Sequence, residues 1–595
     1  MNKNLPKRLA YTAISVVVTI AVFAVILALV VPRVRDFQPL QDLLPGTTVV
    51  DFHTHFSLNP SVPQIIFDDQ RVRYIEPPIV EDGRVYLRAD FLRNEIDPFA
   101  FWDEGAGVLF VSTLYEMLEF APGRDFVLMN GSPTPLDHSI IRRDGDIFVP
   151  AEIVQMLYPL LVDYREAYNM VVITSRLKPQ TRATISANRA NVRYWPADRA
   201  PITAQLTGGD VLLVFDSSDE YVDVGNFVRV RTEDGLLGYV LASQIEGLVT
   251  EIPDDHMNRF TLLDDFIDNT SAFPQLWDGG AVNLIWENIY HHDANRESMN
   301  TPLHPSLTAV APFWFRISEY GTHLTSLASR EYVDWAHEQG VQVWPVVFDV
   351  GYMRSAAFLT NRASRRYAIN QLIEAADTFN FDGLNIDFEH LTAAEGDYKI
   401  QFLRELAIPM RERGVVLSAA VKVPIPASAF YQRDLIGKTV CLVMVMAYDE
   451  HWATSPVAGP NASLPWVRRG VDNMLLEVPP DRLVLGLPFY NRIWREFVSS
   501  GEVEHYRALG TNSTRAFFEE RGVTWEWDFE LGSYFGEVAA FEDGETVIYR
   551  VWLEDARSIQ EKMNIFTDNN LAGVAAWQRM LAIDEFWDVI APYFP

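Results

Sequence analysis

Eight apolar runs that follow residue 280 constrain the fold of this 595-residue chain most strongly. Each run has the length of a buried strand, and helix-like stretches separate most of them at intervals of roughly 20 to 40 residues, as in βα units. This pattern predicts a closed (β/α)8 barrel, with a small α+β insertion around Tyr534–Tyr549 in the one wide gap. The predicted strands are Ala281–Ile289, Leu307–Ile317, Val341–Phe348, Phe381–Glu389, Val415–Val423, Cys441–Asp449, Leu483–Tyr490 and Gly573–Met580.

The fourth run, Phe381–Glu389, carries polar residues where a strand buried on both faces should be apolar. Because side chains alternate along a strand, Asn385, Asp387 and Glu389 share one face. Three polar groups on a buried parallel strand are destabilising, which favours a functional reason for their presence. The pattern therefore indicates a site, and an edge strand with a solvated face is the alternative.

Polar residues also end other predicted strands, at the positions where barrel enzymes place their chemistry. The fourth strand ends at Asp387 and Glu389, the sixth at Tyr448 and Asp449, and the eighth carries Trp577. Two carboxylates on one face of a strand interact, so one of them is expected to keep its proton near neutral pH. A general acid requires that property.

The sequence Asp382-Gly383-x-Asn385-x-Asp387-x-Glu389 resembles the catalytic signature of glycoside hydrolase family 18, Asp-Gly-x-Asp-x-Asp-x-Glu. The similarity extends along the barrel and is greatest to the spore-cortex and germination N-acetylglucosaminidases of that family. Asn385 replaces the middle Asp of the general pattern, and an amide cannot take up a proton, so the pH profile is left open. The other similar stretches are 446–452, 486–490, 551–558 and 573–577.

This resemblance implies substrate-assisted catalysis, in which the N-acetyl oxygen of the sugar attacks the anomeric carbon. It implies that Glu389 is the acid and later the base, that Asp387 accepts a hydrogen bond from the acetamide N–H, and that Tyr448 donates one to the acetamide oxygen. It implies no cofactor and no metal. The substrate-binding residues would be Asn385, Asp449, Trp452 and Trp577, and the structural residues of the motif Asp382 and Gly383.

The N-terminal half carries two further resemblances. Residues 46–180 repeat a unit of turn, strand and short helix, with turns at Asp82-Gly83 and Asp144-Gly145, and resemble the N-terminal domain of copper amine oxidases as reused in envelope proteins. That likeness implies no copper chemistry. Residues 186–247 resemble a bacterial SH3-type domain and predict a small β-barrel ahead of a catalytic domain at 255–595. Wall contact and a passive spacer are alternative roles for both segments.

Residues 10–31 carry no charge and are, at about 22 residues, long enough to cross a bilayer. We predict one N-terminal transmembrane helix there, with residues 1–9 as a cytoplasmic tail, and a cleaved signal peptide is the alternative. Most of the chain would then lie outside the cytoplasm. This predicts a single-pass protein of the cell membrane with an extracytoplasmic catalytic domain, in the envelope or the spore.

Composition and single motifs exclude other functions. The formal net charge of -31 argues against nucleic-acid binding, and the single Cys441 excludes an internal disulfide and is interpreted as a buried, inert thiol. His53-x-His55 imitates a metal motif of amidohydrolase barrels, but it precedes the predicted barrel, so we predict no metal site. Three tryptophans are interpreted as core residues, with sugar stacking as the alternative: Trp314, Trp344 and Trp494.

We therefore expect a glycosidase that cleaves β-1,4 linkages of an N-acetylglucosamine-containing wall glycan. A chitinase and a non-catalytic wall-binding protein are the alternatives, and retention of Glu389 favours an enzyme. The sequence leaves open the choice among cortex, vegetative peptidoglycan and chitin, exo or endo action, and the oligomeric state.

Overall fold

The computed structural model describes residues 49–73, 77–215, 225–252, 277–542 and 544–594. Contacts divide the described residues into two compact units, one within residues 1–86 and 151–264 and the other within residues 87–150 and 265–595. The predicted anchor at 10–31 lies outside the described residues. In the part of the chain that is described, no helix is both long and apolar enough to span a membrane.

The larger unit contains the predicted barrel. Within residues 277–594, eight parallel strands are hydrogen-bonded in chain order, and β1 pairs with β8 (Leu284 with Ala575) as well as with β2 (Leu284 with Ala309), which closes the ring. The prediction of a closed eight-stranded parallel barrel is thereby confirmed. We number its strands β1 Val282–Glu287, β2 Ala309–Ile317, β3 Gln342–Val343 with Val346–Phe348, β4 Gly383–Asp387, β5 Val416–Lys422, β6 Leu442–Met446, β7 Leu483–Pro488 and β8 Gly573–Trp577.

Helices follow the strands and cover the barrel. Several begin at a residue whose side chain accepts a hydrogen bond from the backbone N–H three residues later, as Ser329 does for Tyr332 and Ser463 for Trp466. Such caps satisfy a donor that has no partner inside the helix. The helices of this region are Ala294–Ser298, Arg330–Glu338, Tyr352–Thr360, Arg362–Phe379, Gly396–Glu412, Arg433–Gly437, Leu464–Leu475, Ala556–Asp568 and Asp584–Ile590.

The barrel strands are buried along almost their whole length, as expected of parallel strands covered by helices. Trp314, Trp344 and Trp494 are each at most 1% exposed, which confirms the core interpretation. Cys441 is partly buried, and burial raises the pKa of its thiol.

The insertion between β7 and β8 is larger than the sequence predicted. An antiparallel sheet and the helix Thr511–Glu519 precede the helix Ala556–Asp568. The early strands of this sheet are rich in Arg and Glu, so no apolar run marks them. The strands are Asn491–Phe497, Glu502–Leu509, Glu526–Asp528, Ser533–Glu542 and Glu545–Leu553.

Residues 87–150 fold onto two barrel helices of the same unit. Asp103 forms an ion pair with Arg365 of the helix Arg362–Phe379 at 2.7 Å, and neither side chain has exposed surface. Arg404 of the helix Gly396–Glu412 donates to the carbonyl of Ser112 at 2.8 Å. The strands of this segment are Phe101–Asp103, Val108–Ser112, Met117–Phe120, Phe126–Met129, Ser132–Pro135, Ile141–Arg143 and Asp146–Pro150.

The smaller unit is rich in β-structure. The turn residues Asp82 and Gly83 have positive φ angles of 51° and 76°, and Asp144 and Gly145 of the second predicted turn, in the larger unit, have 52° and 95°. The strands between residues 180 and 251 form one antiparallel sheet.

The SH3-type assignment of residues 186–247 and the domain boundaries stay predictions. The strands of the smaller unit, together with Arg84–Arg88 at its edge, are Gln64–Phe67, Gln70–Val72, Ile79–Glu81, Leu160–Arg165, Met170–Ser175, Gln180–Ile185, Arg189–Arg193, Ile202–Thr207, Val211–Phe215, Phe227–Thr232, Leu237–Leu241 and Ile245–Glu251, with a helix at Ala151–Leu157.

Candidate active site

The carboxyl end of β4 brings together two acidic side chains of different exposure. Asp387 is the last residue of the strand and is 7% exposed, and its Oδ1 atom is buried with no hydrogen-bond partner among the described residues. Glu389 follows in the loop, and its side chain is 36% exposed. A buried carboxyl oxygen without a partner in the protein is costly, so we expect a ligand or a water molecule to supply the missing donor.

Burial, and then the neighbouring carboxylates Glu389 and Asp349, raise the pKa of Asp387 well above its ordinary value of 3.8. Lys399 and Lys422 act in the opposite direction but do not cancel the effect. The carboxyl group of the pair whose pKa is raised is therefore Asp387, the residue that the resemblance implies as a hydrogen-bond acceptor.

Three neighbours hold Glu389 in place. Its backbone N–H donates to Oδ1 of Asp349 at 3.1 Å, and its carbonyl oxygen accepts a hydrogen bond from the hydroxyl of Tyr431 at 2.8 Å. The Nζ atom of Lys422, at the end of β5, lies 3.2 Å from Oε2 of Glu389 and 3.3 Å from its carbonyl oxygen. Both the main chain and the carboxylate of Glu389 are thus fixed.

Lys399, in the helix Gly396–Glu412, has no exposed surface. It lies in one cluster of charged side chains with Asp349, Asp387, Glu389 and Lys422. Its Nζ atom lies 3.5 Å from the carbonyl oxygen of Phe388 and 5.0 Å from the ring centre of Tyr431. Burial lowers the pKa of this lysine from 10.5 to about 8, while Asp387 and Asp349 partly offset the effect. The cluster therefore holds a buried positive charge below that pH.

Tyr448 and Asp449 follow β6. Tyr448 is buried, and burial, with smaller effects of Tyr490 and Asp387, raises the pKa of its hydroxyl well above 10, so it remains a donor. The Oδ1 atom of Asp449 accepts hydrogen bonds from the hydroxyl of Tyr490 and from Nε of Arg492, the latter at 3.1 Å. Asp449 therefore already has partners that hold its carboxylate, and its side chain is 42% exposed.

Trp577 ends β8, and its ring lies 5.2 Å from that of Phe313 and 6.5 Å from that of Trp286. It is partly exposed, so an indole face can pack against a pyranose ring. Trp452, in the loop after β6, is 53% exposed and donates to Oγ1 of Thr454 at 2.8 Å.

Asn385 differs from its sequence-based interpretation as a substrate-binding residue. Its side chain has no exposed surface: Oδ1 accepts a hydrogen bond from Nε1 of Trp286 at 3.1 Å, and Nδ2 donates to Oγ of Ser418 at 3.0 Å. A barrel interior is filled by layers of side chains, and Asn385 lies in a layer below Asp387. It can act on a substrate only through other residues.

Asp382 and Gly383 lie where β4 begins. Oδ2 of Asp382 accepts a hydrogen bond from the backbone N–H of Val343 at 2.8 Å and lies 2.8 Å from Nε2 of His337. A Cβ atom at Gly383 would lie 2.7 Å from the ring of Trp344, closer than real Cβ atoms approach. These contacts join β4 to β3 and explain why the motif needs a small residue at position 383.

Three charged residues around Asp387 and Glu389 were missed by sequence reasoning. They are Asp349, Lys399 and Lys422. Asp349 and Lys422 could have been found, because each lies at the carboxyl end of a predicted strand, as the catalytic candidates do. Lys399 gives no such signal, since its helix has charged residues on several sides.

A closed parallel barrel with two carboxyl groups, a tyrosine and a tryptophan at the carboxyl ends of its strands defines a glycosidase-type barrel. Residues 350–581 match the family described as glycosyl hydrolases family 18. Residues 66–173 match the copper amine oxidase N-terminal domain, which supports the domain predicted in that region.

The names of similar proteins agree with a glycosidase. YdhD of Bacillus subtilis (strain 168), named as a sporulation-specific glycosylase, is 30% identical over 320 residues, which are 52% of this chain and 74% of YdhD. The cortical fragment-lytic enzyme of the same organism is 25% identical over 330 residues, 52% of this chain and 72% of that protein. A Drosophila melanogaster protein named as a chitinase is 25% identical over 258 residues, 38% of this chain and 53% of that protein. The chain belongs to glycosyl hydrolases family 18 and is a glycoside hydrolase.

Proposed function

We propose that this chain hydrolyses β-1,4 linkages of N-acetylglucosamine in peptidoglycan, with spore cortex as the first candidate substrate. The observation that carries the proposal is the buried, unpartnered Oδ1 atom of Asp387 beside the accessible carboxyl group of Glu389. An acetamide N–H of the substrate would supply the missing donor. The names of two relatives, a sporulation-specific glycosylase and a cortical fragment-lytic enzyme, support cortex as the substrate class.

The first chemical step would break the bond between the anomeric carbon and the leaving oxygen. Glu389 gives its proton to that oxygen while the acetamide oxygen of the same sugar attacks the anomeric carbon, so no enzyme nucleophile is needed. Asp387 accepts the hydrogen bond of the acetamide N–H and stabilises the positive charge of the oxazolinium-like intermediate. The buried hydroxyl of Tyr448 donates to the acetamide group, and Trp577 forms the floor under the ring.

The second step would return Glu389 to its starting state. As a carboxylate it removes a proton from water, the water oxygen attacks the anomeric carbon, and the ring of the intermediate opens. Two displacements at one carbon retain its configuration. Proton NMR during hydrolysis would therefore detect the β-anomer of the product first.

For the remainder of the chain we propose an envelope location. Residues 10–31 would anchor it in the cell membrane with residues 1–9 in the cytoplasm, and the segments at 46–180 and 186–247 would lie outside the cytoplasm. The catalytic domain, at 255–595 by the sequence-based boundary, would act outside the cytoplasm. Protease treatment of intact protoplasts would degrade the catalytic segment if this orientation is correct and spare it if it is not.

The test of activity uses the full-length chain in detergent on purified cortex, vegetative peptidoglycan and N-acetylglucosamine oligomers. Mass spectrometry of the products identifies the bond that is cut and the sugar it requires. The variant Glu389→Gln should lose about 100-fold or more in rate, whereas Glu338→Gln, at an exposed helix position, should not. Full activity of Glu389→Gln would refute the proposal.

A chitinase is the second candidate, because the chain also has a relative named as a chitinase. The chemistry at Glu389 and Asp387 would be identical. Rapid cleavage of N-acetylglucosamine oligomers, with cortex and vegetative wall left intact, would favour this alternative.

A further inference from the structure

Among the described residues, Lys422 is the one that forms an ion pair with the carboxylate of Glu389. Asp349 and Tyr431 hold only the main chain of Glu389, through its N–H and its carbonyl oxygen. The Nζ atom of Lys422 lies 3.2 Å from Oε2 and 3.3 Å from the same carbonyl oxygen, so a single ammonium group bridges the main chain and the side chain.

The location of Lys422 makes this contact part of the site rather than of the core. The residue ends β5, next to β4, so its side chain reaches the carboxyl edge of the barrel where Glu389 lies. Its side chain is 46% exposed, so it is not enclosed in the packed interior of the barrel. Lys399, the other lysine of the cluster, is buried and contacts the carbonyl oxygen of Phe388 instead.

We infer that Lys422 is a positioning residue for the proton transfer, which holds the carboxyl group of Glu389 toward the leaving oxygen and stabilises the charge left on it. This inference rests on the proposed role of Glu389 as the acid. When Glu389 gives its proton to the leaving oxygen, its carboxyl group becomes negative, and an ammonium group in contact stabilises that product.

If Lys422 assists the proton transfer, the effect of its loss on the rate depends on the leaving group. A sugar alcohol is a poor leaving group and needs the proton of Glu389, whereas a nitrophenolate leaves without it. Loss of Lys422 should therefore slow the release of a sugar much more than the release of a nitrophenol. A general loosening of the site would slow both reactions equally, because both substrates place the same sugar against Asp387, Tyr448 and Trp577.

The experiment compares kcat/KM of the full-length chain on two substrates that differ in the leaving group. One is the oligosaccharide of N-acetylglucosamine and muramic acid released from cortex, and the other is the 4-nitrophenyl glycoside of an N-acetylglucosamine disaccharide. For Lys422→Met we expect a loss of about 10-fold or more on the oligosaccharide and of less than about 3-fold on the nitrophenyl glycoside. Lys422→Arg, which keeps the positive charge, should recover most of the loss.

Two controls separate the possible outcomes. Lys438→Met removes a lysine that follows the helix Arg433–Gly437 and should behave as wild type, and thermal unfolding of each variant reports whether it is folded. Equal losses of folded Lys422→Met on both substrates, or no loss on either, would overturn the inference. Glu389→Gln is measured beside it: if that variant retains wild-type rates on the oligosaccharide, the proposed function fails, and if only Lys422→Met is unaffected, the role of Lys422 alone fails.

Discussion

Asp349, at the end of β3, accepts a hydrogen bond from the backbone N–H of Glu389 at 3.1 Å and so joins two neighbouring strand ends. A second hydrogen bond comes from the backbone N–H of His390 at 2.9 Å, and Oγ of Ser355 donates a third at 2.6 Å. Asp349 is itself 6% exposed. The main chain that carries the candidate acid is therefore fixed from an adjacent strand.

The variant Asp349→Ala should lose about 10- to 100-fold in kcat, because misplacement of a catalytic group by about 1 Å has an effect of that size. Asp349→Asn keeps an oxygen acceptor for the N–H of Glu389 and should lose much less. Initial rates on cortex fragments measure the difference. Equal losses in the two variants would show that the charge of Asp349, and not its hydrogen bonds, is what matters.

Asp387→Asn should abolish most activity yet stabilise the fold at neutral pH. The folded-state pKa of Asp387 is raised by burial, so the protonated carboxyl is favoured in the folded chain, and stability falls as pH rises from below 4 through that raised pKa. An amide has no such dependence. Thermal unfolding should show equal midpoints near pH 3.5 and a higher midpoint for Asp387→Asn at pH 7, with a loss of about 100-fold in rate. A lower midpoint at pH 7 would contradict this account.

Lys399→Met should also stabilise the fold, in a different pH range. The pKa of Lys399 is about 8 in the folded chain against 10.5 ordinarily, so charging it below pH 8 opposes folding by about 3 kcal/mol. The advantage of the methionine variant should be complete at pH 7 and disappear as pH rises from 8 to 10.5. Denaturant unfolding at pH 7 and pH 10 measures it, and Lys438→Met, near a helix end, should show no such pH-dependent gain.

Asn385→Asp restores the general family pattern at a position without exposed surface. The substitution removes the N–H donor to Ser418 and places another acid on the face that carries Asp387 and Glu389. We expect a loss of stability that grows from pH 5 to pH 8, because ionisation of a buried carboxyl is unfavourable. Thermal unfolding at both pH values tests it, and unchanged midpoints would show that the site tolerates the extra charge.

The ion pair of Asp103 with Arg365 gives a prediction outside the site. Asp103→Ala should destabilise the larger unit by about 3 kcal/mol, the lower end of the cost of breaking a buried ion pair, since it leaves the buried guanidinium with only Glu405, at 3.5 Å, as a charged partner. Replacing both partners, with Asp103→Leu and Arg365→Met, should recover most of the loss. A double-mutant cycle by denaturant unfolding measures the coupling.

The barrel could be predicted because its strands are apolar runs at regular spacing, and the site because polar residues interrupt β4, β6 and β8 at their ends. The contacts that surround each of these residues could not be predicted from the sequence. The alternation of side chains along a strand places Asn385 on the face of Asp387 and Glu389. Only the layered packing of the barrel shows that the side-chain amide of Asn385 is hydrogen-bonded to Trp286 and Ser418. Lys422 and Asp349 reach Glu389 from other strands, and that proximity depends on the closure of the ring.

The fold of residues 87–150 onto the barrel has a consequence for how this protein can be divided. A fragment that begins at residue 255, the boundary that the sequence favours, would lack Asp103, Ser112 and the strands around them, and would lose the ion pair of Arg365 with Asp103 and the hydrogen bond of Arg404 to Ser112. The catalytic half is assembled from two separate stretches of the gene. Protein engineers who wish to exchange or truncate its modules must therefore carry both stretches together.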